Sequence, residues 1–263
     1  STISFKPKTI TKKIISQLQE RASDVIMNRF GLTDLGEKKT LEEIGTKYNI
    51  TRERVRQIED AALNFIKKSS AYRAEQAIFD ELKQLMHKLG SIVAEHELLP
   101  YISKDKTTQN HIHFFLTLGD AFKKHREDDH FHARYSVDDG MSEKVHEALR
   151  KLYESLKDED LVPETEIIKK FLDHLKDVAV DYRDDEMVRR WLSMSKTVAK
   201  NPLGEWGKAS SPNIRIRGVK DYAYLVMRRH GTPLHFKEVA DSISKIFNKK
   251  IHYATCHNEL IKD

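Results

Sequence analysis

Residues 40–67, TLEEIGTKYNITRERVRQIEDAALNFIK, are the stretch on which the reading of the whole chain turns. Thr40 can cap a helix with its hydroxyl, and Glu43, three residues on, can reach back to the backbone amide of the cap residue, which makes a capping box. Leu41, Ile44 and Tyr48 then share one face, and Asn49 is a residue type that tolerates the left-handed conformation needed to leave a helix. Tyr48, Asn49 and Ile50 therefore form a tight turn. Thr51 caps a second helix, predicted over residues 51–66, in which Val55, Ile58, Ala62 and Ile66 recur at helical spacing and face inward. Two helices joined this way form a helix-turn-helix. The opposite face of the second helix carries Arg52, Glu53, Arg56, Gln57 and Asp60, the first four within its N-terminal turns. That is the part of a recognition helix that enters the major groove. Arg pairs in bidentate fashion with guanine, Gln with adenine, and a carboxylate accepts from the cytosine amino group, so Arg52, Glu53, Arg56 and Gln57 are the candidate base readers. Arg54 and the nearby Lys38, Lys39 and Lys47 suit phosphates, which set register without reading sequence. The alternative for such an alternation of Arg and Glu is a solvated helix face; here capping, turn and groove-facing side chains agree.

Residues 10–68 resemble region 4 of the bacterial sigma-70 family, on the motifs LEEIG, TRERVRQIE and the upstream RASDVIMNRFGL. The resemblance covers under a quarter of the chain. It implies that Arg52, Glu53, Arg56 and Gln57 read a promoter element of the −35 type. It further implies phosphate contacts by Arg21 and Arg29 and by the backbone amides of Thr40 and Leu41; Thr51, at the cap of the recognition helix, is a further candidate phosphate contact. Docking on the flap of the RNA polymerase beta subunit is implied as well. Nothing elsewhere resembles the aromatic, basic region 2 with which a complete sigma factor melts DNA, so promoter opening by this chain alone is not expected.

At 263 residues the chain is long enough for about two to four small domains, each with a modest core. Charged residues at 33% and hydrophobic residues at 39%, with only 10 Gly and 6 Pro, suit a mainly helical protein, expected to be cytoplasmic and associated with the nucleoid. There is no signal peptide and no apolar run long enough to span a bilayer, so no membrane association is expected. The lack of an initiator Met suggests a processed or trimmed chain. Cys256 is the only cysteine, which excludes an internal disulfide and a thiolate cluster for zinc. The net charge of +5 is unevenly spread: residues 1–73 hold 15 Lys and Arg against 9 Asp and Glu, leaving the remainder at −1. A basic head of this kind can be steered to double-stranded DNA, while the near-neutral remainder suits partner-binding modules.

Residues 1–9 read as a flexible basic lead-in, followed by helices at 11–18 and 20–29 that buttress the helix-turn-helix, and by a turn-rich link at 31–39. Beyond Ser70 a weak internal repeat emerges. LGSIVAEHELLPYI, DEDLVPETEIIKKFL and HGTPLHFKEVADSI place Glu97, Glu166 and Glu238 in corresponding positions, 69 and 72 residues apart. That is the size of a winged-helix unit. First helices are predicted over 75–89, 142–156 and 219–229, and third helices over 108–118, 185–194 and 253–262. Residues 122–135 read as a wing hairpin, and residues 196–216, with Pro202, Gly204, Gly207 and Pro212, as a longer irregular one. The third unit stops where its wing should begin, so the native protein is expected to continue beyond Asp263. The domain boundaries expected are 1–73, 74–140, 141–212 and 213–263, a mainly α architecture of tandem helix-turn-helix and winged-helix domains with small β-hairpin wings. From Arg217, RGVKDYAYLVMRRHGTPLHFKEVADSI resembles the HARE-HTH domain, a winged helix, which implies a role in DNA or transcription-complex binding but no particular readout residues.

His111, His113, His125, His130 and His132 gather within 22 residues, and His130-Phe131-His132 on a strand would place two imidazoles on one face, a geometry that can hold zinc or nickel. Solvated wing histidines are the ordinary alternative, and neither a metal nor another cofactor is expected. Asp80-Glu81-Leu82-Lys83 and Glu166-Ile167-Ile168-Lys169 contain the letters of a metal-dependent nuclease, but both sit in helical patterns, and no enzymatic activity is expected. The reading that results is a sequence-specific transcription factor, with double-stranded DNA, RNA polymerase and a second copy of the chain as its candidate partners. The alternatives are a polymerase or chromatin adaptor that reads no bases, and the DNA-binding part of a restriction system.

Overall fold

The computed structural model describes residues 2–175, 177–178 and 184–262. They are mainly helical, with small antiparallel sheets, and divide into two compact units, 1–128 with 132–142, and 129–131 with 143–263.

The first unit begins with α1 (Pro7–Ile15) and α2 (Glu20–Phe30), followed by α3 (Leu41–Tyr48) and α4 (Arg52–Lys68). Residues 2–9, expected as part of a flexible lead-in, are held in place. Ile3 is buried, Phe5 packs with its ring centroid 6.1 Å from that of Phe115, and the Ser4 amide donates to Glu81 at 2.6 Å. Pro7 supplies the first turn of α1, where its missing N–H costs nothing and its fixed φ suits a helix. The helix therefore starts four residues earlier than apolar periodicity suggests and ends at Ile15.

A short helix, α5 (Ser70–Ala74), capped by Ser69, leads into α6 (Gln76–Lys88), β1 (Ile92–Ala94), α7 (Glu95–Ile102), α8 (Lys106–Leu118), β2 (Lys123–His125) and β3 (Arg134–Ser136). The strands form an antiparallel sheet in the order β1-β3-β2, with Tyr135 opposite both Val93 and Lys124. One hydrophobic cluster runs from Ile10, Ile14, Ile26 and Phe30 through Ile66 and Tyr72 to Phe79, Leu82, Phe114 and Phe115. The boundary expected at residue 73 falls inside this core. A separate small cluster, Val25, Ile44 and Val55, holds α3 and α4 to α2.

The second unit contains most of α9 (Asp139–Ser155), then α10 (Glu164–Asp173), α11 (Asp185–Ser193) and the hairpin of β4 (Val198–Lys200) and β5 (Trp206–Lys208). Val162 pairs with Trp206 through two backbone hydrogen bonds of 2.7 Å, a one-residue counterpart of the β1–β3 pairing. It ends with α12 (Val219–His230), α13 (Phe236–Phe247) and α14 (Tyr253–Leu260), which enclose Ala223, Val226, Val239, Ile243 and Cys256. Glu97, Glu166 and Glu238 are each the third residue of a helix, α7, α10 and α13 respectively. Asp80-Lys83 and Glu166-Lys169 lie on α6 and α10, where adjoining strands would be needed for a nuclease site.

His130-Phe131-His132 does not form a strand: β2 ends at His125, β3 begins at Arg134, and between them Phe131 makes only a single bridge, to Ser195. The acidic run Glu127-Asp128-Asp129 separates the strands as a loop. His111 is buried on α8 with its Nδ1 2.7 Å from the Thr11 hydroxyl, and His113 packs against Phe30. Among the described residues no group of three ligating side chains is placed to hold a metal ion.

Candidate nucleic-acid interface

The helix-turn-helix is built from local chemistry. The Thr40 hydroxyl accepts from the Glu43 amide at 3.2 Å, and the Thr40 amide donates to the Glu43 carboxylate at 2.7 Å. These bonds hold the Glu43 carboxyl below its ordinary pKa. Asn49 leaves α3 in the left-handed region, at φ 52°, and the Ile50 amide donates to the Gly45 carbonyl at 2.9 Å. Gly45 is required by this closeness: a Cβ there would lie 2.7 Å from the backbone oxygen of Ile50. Thr51 caps α4 by accepting from the Arg54 amide at 3.1 Å.

Only Val55, Ala62 and Ile66 of the 17 residues of α4 are buried. Arg52, Glu53, Arg56 and Gln57 are all exposed, and Arg52 and Arg56 line one shallow cleft together with Arg29, Thr40 and Leu41. The outward residues are not equally available. Arg56 is clamped between Glu53, at 2.7 Å, and Asp60, at 2.6 Å. The hydrogen bond from Arg56 lowers the Glu53 pKa, and its counterpart raises that of Arg56. Arg54 donates to the Gln57 side-chain oxygen at 3.0 Å. Arg52 has no ion pair among the described residues. The spacing of Arg56 and Asp60 at i and i+4 is a signal that could have identified this clamp in advance.

The candidate phosphate contacts divide similarly. Lys38 and Lys39 are exposed beside the start of α3. Arg21 lies over the Tyr48 ring, 4.8 Å from its centroid. Arg29 bonds Glu59 at 3.0 Å and the Lys39 carbonyl at 2.9 Å, so it fixes the link to α2 while still lining the cleft. Lys47 is held by Asp24 at 2.7 Å, and the same carboxylate accepts from the Tyr48 hydroxyl at 2.5 Å. Burial acts to raise the Asp24 pKa, but the hydrogen bonds from Lys47 and Tyr48 outweigh it and hold it low. The Thr40 amide is occupied by Glu43, whereas Leu41, as the first helical residue, has an amide without an intrahelical partner. Asp24 and Glu59 could not be found from sequence, because their partners lie 23 and 30 positions away.

Residues 14–68 match the family Sigma-70, region 4. Within this segment the chain is 52% identical over 56 residues to RNA polymerase sigma factor RpoD of Helicobacter pylori, covering 21% of this chain and 8% of that protein. It is 54% identical over 52 residues to sigma factor SigA of a Nostoc species, covering 20% of this chain and 13% of the relative. Against sigma factor SigA1 of Synechococcus elongatus it is 56% identical over 50 residues, covering 19% and 12%. The chain thus spans between 8% and 13% of the length of these relatives. No solved structure matches the chain. The region-4-like segment includes α2, α3, α4 and every candidate base reader, and it lies within the first compact unit. No helix among the described residues is long and apolar enough to cross a membrane.

Proposed function

We propose that the region-4-like segment binds double-stranded DNA as a transcription regulator, with α4 entering the major groove. In this reading Arg52, Glu53, Arg56 and Gln57 meet base edges of a −35-type promoter element. Lys38, Lys39 and Arg54, the half-buried Arg29, Arg21, and the N-termini of α3 and α4 at Thr40, Leu41 and Thr51 hold phosphates. The observation that carries the reading is the capped, outward N-terminus of α4, with Arg52 and Gln57 exposed beside a cleft floored by the start of α3. Helix N-termini and Arg forks are suited to phosphate and base contacts. Arg56 would exchange its carboxylate partners for the duplex, and Lys47 would have to leave Asp24 to reach a phosphate.

Three further modules are proposed to be winged helices: α6 to β3, α9 to β5, and α12 to α14, the last of the HARE-HTH type, with the limits expected above separating modules of which the head and the first winged helix share one core. The order β1-β3-β2 flanked by three helices supports this for the first of them. A second reading has the head docking on RNA polymerase without reading bases. It is favoured by Leu35 and Phe65, which are 83% and 51% exposed and take no part in the DNA-facing arrangement.

Selection of bound sequences from a random duplex pool separates the two. The DNA reading expects an enriched motif whose guanine and adenine positions blur in Arg52→Ala and Gln57→Ala. Retained polymerase binding with no enriched motif would leave only the adaptor.

A further inference from the structure

Helix α8 is the third helix of its module, the position from which a winged helix reads DNA, yet it is unavailable for that purpose. It packs on α1, α2 and α7, and burial covers Gln109, Asn110 and His111 as well as its apolar residues. Only its ends and the adjoining hairpin face outward, and there the exposed residues include Lys106, at the start of α8, and Lys124, on β2.

These two lysines are held beside the head. Asn110, 2% exposed, donates from one side-chain nitrogen to the carbonyls of Gly31 at 3.1 Å and Gly36 at 2.8 Å. This staple seats the link that carries Lys38 onto α8. Gly31, at φ 64°, leaves no room for a Cβ, which would approach the Asn110 nitrogen to 2.7 Å. The cations then crowd together: Arg29, Lys106 and Lys124 all act on Lys38, whose ammonium is held below its ordinary pKa first by burial of that end and then by these charges, opposed by Glu95. Lys124 is 3.5 Å from Glu95 and 3.5 Å from the His113 imidazole. His113 is pushed to about 4 by burial, with Lys38, Lys124 and Lys106 adding to the effect and Glu95 opposing it, so at neutral pH it adds no charge. Lys38 and Lys106 have no carboxylate ion pair among the described residues. Two carboxylates, Glu95 and Glu127, line the cleft beside Lys106, against three lysines, and Arg29 extends the row of cations to the cleft beside Arg52 and Arg56.

We propose that Lys106 and Lys124 continue the phosphate track of the head, so that a duplex held by α4 also runs along a seam formed by Lys38, Lys106 and Lys124. The inference rests on the reading of α4 as a DNA-binding helix and extends it to the second module, as a backbone clamp without base readout. Exposed lysines act as point charges suited to phosphate, Lys106 without an ion pair and Lys124 by exchanging Glu95 for it, and the buried middle of α8 offers no residues to read an edge.

The test uses the full chain and two labelled duplexes, one confined to the site bound by α4 and one extended by about one helical turn on either side. If selection yields no motif, random-sequence duplexes of the same two lengths serve. Binding is titrated against salt for the wild type, for Lys106→Gln with Lys124→Gln, and for the charge-matched control Lys83→Gln with Lys88→Gln on α6. The seam predicts that the double variant loses roughly 1.8 from the log–log salt slope on the extended duplex, at about 0.9 per phosphate contact, with no change on the short one and none in the control. An unchanged slope on the extended duplex overturns the seam, as does an equal loss on both duplexes or in the control. Loss of polymerase binding with an unchanged DNA slope overturns it in favour of an acidic protein surface. Failure of base readout is seen separately, as absence of a motif in the wild type.

Discussion

Helices α4 and α8 begin alike and end up in opposite surroundings. Each follows a polar cap, Thr51 for α4 and Asp105 for α8. Yet α4 buries 3 of its 17 residues and α8 buries 8 of its 13. A helix can present a recognition surface only if the rest of the fold leaves that surface uncovered. In α4 the buried residues form one narrow stripe, Val55 packed with Val25 of α2 and Ile44 of α3, and Ala62 and Ile66 in the larger core. In α8 Ile112, Phe114, Phe115, Leu116 and Leu118 point several ways, and burying all of them requires the head on one side and the sheet on the other. Position within a motif therefore does not assign a role; the width of the apolar stripe does.

The largest test of this contrast is Phe114→Ala. Its ring is fully buried, 5.0 Å from that of Phe30, and its loss should cost the first unit about 3–5 kcal/mol in urea denaturation. A cost comparable to that of a surface substitution would mean that α8 does not anchor the core of the first unit.

The second test is pH. The folded-state pKa of His113, about 4, lies below the ordinary value of about 6.5, so the unfolded chain binds the extra proton between the two. Its neutral state carries full stability above pH 6.5 or so, and stability should fall as pH drops through that window towards 4, by about 3 kcal/mol in all. In His113→Gln this part of the pH dependence should vanish, while substitutions on the outward face of α4 should leave it intact.

The third test reverses the signature. Arg52→Ala should leave stability within about 0.5 kcal/mol, because the side chain is exposed and unpaired, while relaxing sequence preference at one position by roughly 1–3 kcal/mol. Competition binding with duplexes substituted at that position measures it. A loss spread evenly over all sequences would reassign Arg52 to phosphate.

The smallest expected effect is at the cap. Thr51→Ala removes the acceptor for the Arg54 amide and should cost about 1 kcal/mol. In the proposed reading the cap orients the DNA-facing end of α4, so the change should weaken binding to all duplexes without altering the preferred sequence. A shifted preference would show that Thr51 does more than position the helix.

What the sequence determined by itself was the helix-turn-helix: the Thr40–Glu43 capping box, the left-handed Asn49, the Thr51 cap and the outward Arg52, Glu53, Arg56 and Gln57 are all found in place. Each is set by residues within one or two turns of one another, so the physics that makes it is visible in a short window. The helices and hairpins of the later modules were legible for the same reason, through periodicity and turn residues. Only the tertiary structure decided that residues 2–6 join the core, that Lys47 is committed to Asp24, and that Asn110 seats the link of the head on α8. These depend on partners far apart in the chain, 74 positions for Asn110 and Gly36 and 100 for Thr11 and His111. An apolar or polar residue announces that it needs a partner, but which partner it meets is settled by how the elements pack, and that information is spread over the whole first unit.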